Sequence, residues 1–124
     1  MKKTICLLAL FLIVACKKEE TPKESLYPKV AQTPIEMGKE IFEDKGNCVA
    51  CHQPNQKIIG PSIQEIAKIY KDKKASIVTF LQGNAEPIVD PSQYEVMKTN
   101  FAITKMMSDE ELQAIEAYIY SHLN

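Results

Sequence analysis

Tryptophan is absent from this chain, and aromatic residues make up only 7% of it. A core built from such side chains would be modest, and a small domain of this kind needs another source of apolar bulk. No stretch alternates apolar and polar residues as a half-buried strand would, so a sheet is not expected. No internal repeat is visible, which sets aside solenoids and propellers. The formal net charge is -1, so no overall basic drive toward nucleic acid exists. The longest apolar run, Ile5 to Val14, is too short for a spanning helix, which needs about 20 residues. What remains is enough for one small domain: 124 residues, 45% hydrophobic and 25% charged.

The four cysteines fall into two pairs of different meaning. Cys6 and Cys16 belong to the N-terminal apolar stretch, and Cys48 and Cys51 stand together further on. A framework of disulfides joining all four is therefore not expected. Met1-Lys2-Lys3 is a short basic leader, and Ile5 to Val14 has the length of a signal-peptide core. The run ends at Ile13-Val14-Ala15-Cys16 and turns polar at Lys17-Lys18-Glu19-Glu20. The small residue before Cys16 resembles a bacterial lipobox. That resemblance implies cleavage after residue 16's predecessor and a lipidated Cys16 at the new N-terminus. Several acyl chains on one cysteine meet the two-signal requirement for stable membrane anchoring. The plainer alternative is ordinary signal cleavage near Ala15, leaving a free thiol. On either reading the domain is exported, to the periplasmic side of a bacterial membrane. The Lys-Lys-Glu-Glu run also resembles a surface-export signal of some Gram-negative lineages. Residues 17-32 are rich in Lys, Glu, Pro, Ser and Thr and read as a flexible tether.

Cys48-Val49-Ala50-Cys51-His52 is the stretch with chemistry in it. It has the C-x-x-C-H spacing of covalent c-type haem attachment. Two thiols three positions apart share one face of a helical turn and can reach the two vinyl groups of one porphyrin. The histidine that follows can turn back to ligate the iron. Zinc would need a fourth ligand, and only His122 remains, with no second C-x-x-C. A thioredoxin-like site would need a βαβ pattern, which is not visible.

The surrounding residues read as helices. Thr33-Pro34-Ile35-Glu36 is a capped start, with Pro34 in the first turn. Gly38, Ile41 and Phe42 share one face, and Asp44 to Asn47 ends the helix. A glycine inside a helix costs about 1 kcal/mol against alanine, so Gly38 marks a place where another helix crosses closely. Pro61 fixes the backbone past the motif. Ser62 caps a second helix with a face of Ile63, Ile66, Ala67 and Tyr70. Ser76 to Leu81 forms a short third helix ending at Gly83. Residues 84-92 read as loop, Tyr94 to Met97 as a short helix, and residues 98-107 as a second loop region. Ser108-Asp109-Glu110-Glu111 opens the last helix, whose apolar face is Leu112, Ile115, Ala117, Tyr118 and Ile119 through residue 122.

With these residues in view, residues 33-124 resemble a class I c-type cytochrome domain. The resemblance rests on Gly38 and Phe42, on Cys48-Cys51-His52, on Gly60-Pro61, and on Ile115 and Tyr118. It implies an all-α fold of about four or five helices around one covalently attached haem c. It implies that the first and last helices cross at the glycine and aromatic positions. It also implies that the Pro61 carbonyl accepts a hydrogen bond from His52 and orients it.

A second axial ligand, if it follows the family, would be a methionine before the last helix. Met97, Met106 and Met107 are the candidates. Met107 precedes the Ser108 cap, where an apolar residue staples the helix start. Met106 sits too near that helix to reach across a haem easily. Met97 leaves room for a loop around the haem edge and is the choice, with Met106 second. Met37 belongs to the first helix, and His122 lies close to a fraying terminus.

With His52 and Met97 both ligated the iron has no open position, and the chain is expected to carry single electrons rather than catalyse. Its partners would be an unidentified redox donor and acceptor, and a membrane through Cys16. The alternatives are a five-coordinate haem that binds a small gas or acts on peroxide, and a dedicated electron-entry subunit of a larger oxidoreductase. Lys57, Lys68, Lys71, Lys73 and Lys74 make residues 57-74 locally basic, against Glu65 and Asp72. That stretch is either a solvated face or a docking rim for an acidic partner.

Overall fold

The computed structural model describes residues 31–123. The leader, Cys16 and residues 17–30 of the expected tether lie outside the described residues. Within them the chain folds as helices: α1 (Pro34–Glu43), α2 (Ile63–Lys73), α3 (Ile77–Leu81), α4 (Tyr94–Lys98), α5 (Phe101–Thr104) and α6 (Asp109–Tyr120). Short 3₁₀ turns cover Cys48–Ala50 and Pro91–Gln93. The only strand-like pairing among the described residues is one antiparallel bridge between His52 and Lys57. No described helix is long and apolar enough to cross a membrane.

The capping residues act as their types suggest. Thr33 accepts from the Glu36 amide at 3.2 Å, and the Glu36 carboxylate accepts from the Thr33 amide at 2.8 Å. Ser108 and Glu111 repeat this reciprocal pair at the start of α6. Two otherwise orphaned amides are satisfied at each helix start. Glu111 also pairs with Lys45, beyond the end of α1. Ser62 and Ser76 cap α2 and α3, and the Glu116 carboxylate of α6 accepts from the Ile77 amide at 3.0 Å.

These acids carry a pH signature. The hydrogen bonds from Thr33 hold the Glu36 carboxyl below the usual range, and the Lys45 ammonium with Ser108 does the same for Glu111. A carboxyl depressed in the folded state contributes stability above its unfolded pKa and loses it as pH falls through the folded value. The melting temperature should therefore fall on acidification below about pH 4.3, the ordinary glutamate value. The Glu36→Gln, Glu111→Gln double variant should melt lower than the wild type at pH 7, with the gap closing in acid. Melting curves from pH 7 to 3 would check this.

The frame is the packing of α1 on α6. A Cβ added to Gly38 would lie 1.9 Å from the Ala114 carbonyl oxygen and 2.9 Å from Tyr118 Cβ. Only a hydrogen at that position lets the two helices approach so closely. One turn further along, Phe42 meets Tyr118 edge-on with centroids 5.3 Å apart. Leu112, Ile115 and Ile119 of α6 continue the core toward Ile63, Ala67 and Tyr70 of α2 and toward Ile77 and Leu81 of α3. Ala114 is also buried, whereas Ala117 is half-buried, and the helix stops at Tyr120 rather than running to residue 122.

The expected second loop region, residues 98-107, needs correction. It contains α5, a single helical turn. Phe101 and Thr104 are both buried and sit three residues apart. Thr104 Oγ1 donates to the Leu81 carbonyl at 2.6 Å, tying α5 to the end of α3. One turn is too short to show a helical period, and the packing of Phe101 on Phe80, with centroids 5.4 Å apart, holds it in place. Met107 is buried in the core at the position expected of a staple.

Candidate functional site

One apolar cavity of ≈ 240 Å³ opens between these helices. Cys48, Cys51, His52 and Pro61 line it, as do Phe42 from α1, Tyr70 from α2 and Ile115 with Ile119 from α6. Phe80, Tyr94, Met97 and Asn100 also face it. The cavity therefore gathers segments that are far apart in sequence. It opens to solvent beside Ile59 and Val96, which are 52% and 50% exposed.

The motif is held by its backbone. Asn47 has φ 48°, in the left-handed region that asparagine tolerates better than most residues. The chain then enters the 3₁₀ turn, with the Cys51 and His52 amides both donating to the Cys48 carbonyl, at 3.1 and 3.0 Å. Cys48 is buried and Cys51 partly exposed. Burial pushes the Cys48 thiol up to about 11, so a thiolate is disfavoured there. That environment suits a neutral thioether and opposes thiolate chemistry with zinc or in disulfide exchange. No group of three His, Cys, Asp or Glu residues converges as a metal cage among the described residues.

His52 is buried, and its Nδ1 lies 2.8 Å from the Pro61 carbonyl oxygen. A carbonyl only accepts, so Nδ1 carries the proton and donates. In the neutral ring Nε2 then keeps its lone pair. Burial lowers the His52 pKa, against the opposing pull of the Pro61 bond, and so favours the neutral ring. The result is a histidine oriented and deprotonated as a metal ligand requires. Gly60 makes room for it. A Cβ at residue 60 would lie 2.5 Å from His52 Cε1 and 2.9 Å from Nδ1. Gly60→Ala should turn the ring off its Pro61 bond and cost about 1–3 kcal/mol, as overpacking does. Chemical denaturation, with the absorption spectrum of the pigmented protein, would check both effects.

The methionines separate clearly. Met97 lines the cavity and packs on the core. Met106 is 83% exposed and is not among the lining residues. Met37 packs against the core from α1. His122 lies outside the cavity lining, with Nδ1 2.9 Å from the Tyr118 carbonyl oxygen. Asn100 had no sequence signal, yet its Nδ2 donates to the Gly46 carbonyl at 3.0 Å and ties the segment after Met97 to the approach to the motif. Asp90 was equally silent, a loop acid that proves to line the cavity. Phe80, Tyr94 and Phe101 form an aromatic cluster beside it, their centroids 5.4–6.3 Å apart.

Compared with known proteins, residues 35–122 match the family model described as cytochrome c. The chain belongs to the cytochrome c family. Haem c, covalently bound, is the cofactor of that family, and Cys48 and Cys51 fit its attachment motif. This cytochrome is 46% identical over 39 residues to cytochrome c-552 of Nitrosomonas europaea, covering 32% of this chain and 37% of that protein. It is 63% identical over 27 residues to cytochrome c2 of Rubrivivax gelatinosus, covering 22% and 32%. It is 36% identical over 61 residues to cytochrome c-551 of Pseudomonas denitrificans, covering 44% and 73%. The chain thus spans only about a third of the length of the first two relatives. The cytochrome's cavity suits the cofactor on its own terms. It is apolar, has two thiols at one wall, presents a neutral histidine, and leaves the space at Gly60 that a tightly held imidazole needs. Haem held there would supply a one-electron redox change, with Cys48 and Cys51 attaching it and His52 oriented toward it by Pro61.

Proposed function

We propose that this cytochrome is an exported, membrane-tethered monohaem electron carrier with His52 and Met97 as axial ligands. Cys48 and Cys51 hold the haem by thioethers, and Pro61 orients His52. The carrying observation is that Met97, remote in sequence from His52, lines the same cavity, whereas Met106 stands in solvent. Met97 and His52 would together hold the iron and leave it no open position, and such Met/His ligation would raise its potential and suit one-electron transfer. No general acid–base pair or nucleophile is needed, and an enzymatic role is not part of the proposal. Lipidation at Cys16 would fix the domain to the periplasmic side of a bacterial membrane, with the following residues as a tether.

The partners are a redox donor and acceptor. Lys68, Lys71, Lys73 and Lys74 are exposed on or just after α2 and offer a basic face to an acidic partner. Lys57 is committed elsewhere, in an ion pair with Asp90. Transfer rates should fall steeply with added salt if the α2 lysines steer docking.

The test is mass spectrometry and an absorption spectrum on the full chain made with haem-attachment machinery. The proposal expects one haem's added mass, lipid on Cys16, and a low-spin spectrum with the weak far-red sulfur-to-iron band. A high-spin spectrum would move the reading to a five-coordinate haem. A colourless product would remove it.

A further inference from the structure

The loop that follows His52 is folded back on it. His52 and Lys57 form an antiparallel bridge, so the Lys57 backbone is fixed one bridge away from the proximal histidine. Lys57 Nζ reaches across to Asp90 Oδ2 at 2.6 Å. Asp90 lies in the loop that leads into Pro91–Gln93 and α4, the helix that carries Met97, and its carbonyl accepts from the Gln93 amide at 3.1 Å. The pair therefore joins the segment of the proximal ligand to that of the distal one.

The two partners are not equivalent. The Lys57 side chain is 56% exposed and that of Asp90 only 16%. Asp90 lines the cavity, and Lys57 does not. The second oxygen of Asp90 accepts from Ser92 Oγ at 2.5 Å, so both carboxylate oxygens are engaged. Together these donors hold the carboxyl below its usual range. A permanent negative charge thus stands on the wall of the cavity, with a positive charge behind it on the solvent side. Glu65 is the other charged group felt by Lys57.

We infer that Lys57 and Asp90 are an electrostatic clasp that tunes the reduction potential of the bound haem through two opposed charges. This rests on the proposal that the cavity holds a haem. The ferric state carries one more positive charge than the ferrous. The Asp90 carboxylate stabilises the ferric state, and the Lys57 ammonium offsets part of that effect. Both residues are tuning and positioning groups and take no part in ligation. Lys57 is exposed, so its half of the pair contributes little to folding stability and can be changed without unfolding the domain.

Potentiometric titration of the haem-loaded full chain tests this. Lys57→Gln should shift the one-electron equilibrium toward ferric by about threefold to tenfold, tenfold being about 59 mV for one electron. Asp90→Asn should shift it toward ferrous by a similar factor, and the double variant should fall between. Lys57→Arg keeps the charge and should leave the potential in place. The single-variant shifts should shrink in high salt, because Lys57 is exposed. A merely mechanical clasp would admit water in either variant and move both potentials the same way. Shifts of one sign, or no shift with haem in place, overturn the inference. Should Asp90→Asn fail to fold, the Lys57→Gln and Lys57→Arg pair decides alone. A wild type lacking the haem's added mass would instead remove the reading beneath it, and the mass spectrum tells the two failures apart.

Discussion

Met97→Ala should convert the haem-loaded protein from low-spin to high-spin, or to a weakly ligated form, and abolish the far-red band. The sulfur is the sixth ligand in the proposed arrangement, and alanine offers no donor. The potential should drop by a sizeable share of the about 0.8 V that axial-ligand identity spans, because loss of the thioether removes its preference for ferrous iron. The vacated position should also take up added imidazole or azide, which the wild type would resist. Met97 is only half-buried, so the fold should lose about 2 kcal/mol, the lower end for a buried methionine cut to alanine. Met106→Ala is the matched control. That side chain is 83% exposed, and its removal should leave spectrum, potential and stability unchanged. Optical titrations of both variants decide the matter, and an unaltered spectrum in Met97→Ala would move the distal ligand elsewhere.

The second large effect is expected at Gly38. Alanine is the better helix former by about 1 kcal/mol, so propensity alone would call Gly38→Ala stabilising. Packing reverses the sign. The new methyl would sit 1.9 Å from a backbone oxygen and 2.5 Å from a backbone carbon of Ala114. Neither is the free end of a side chain, so α1 and α6 must separate. That separation loosens the Phe42–Tyr118 contact as well. A net loss of about 1–3 kcal/mol follows from overpacking at the centre of a helix crossing, where backbone atoms cannot yield. In a domain of this size that is a fall of roughly 5–20 °C in melting temperature. Lys39→Ala, next along the same helix but exposed, should change it little. Because Phe42 also lines the cavity, the Gly38 variant should load haem less completely, which the ratio of haem absorbance to protein would show.

The two variants fail for different reasons, and the difference reflects how the molecule is built. Gly38 acts through a backbone approach that any side chain spoils. Met97 is proposed to act through one sulfur atom in the cavity. Phe42 touches both sides of the problem: it packs on Tyr118 of α6, and its ring centroid is 6.5 Å from that of His52. The packing of α1 on α6 and the setting of His52 therefore share a side chain.

Much of this was legible in the residues alone, because local chemistry determines local structure. Thr33, Ser62 and Ser108 announce helix starts through hydroxyls that can accept from amides two or three positions on. The thiols at 48 and 51, with the histidine at 52, announce their cofactor because the chain shows neither the second C-x-x-C that zinc would want nor the βαβ pattern of a thiol redox site. Gly38 announced a crossing because a glycine within a helix needs a reason. What the sequence could not decide depends on distance in space. The turn at Phe101–Thr104 exists because Phe80 and the Leu81 carbonyl await it. Lys57 read as one of a basic group and is drawn off by an acid 33 residues away. Asp90 and Asn100 looked like ordinary loop residues until folding set one on the cavity wall and the other against Gly46. Pattern along a chain records what neighbours require of each other, whereas a cavity's far wall is assembled by closure, and only the folded chain shows which residues meet there.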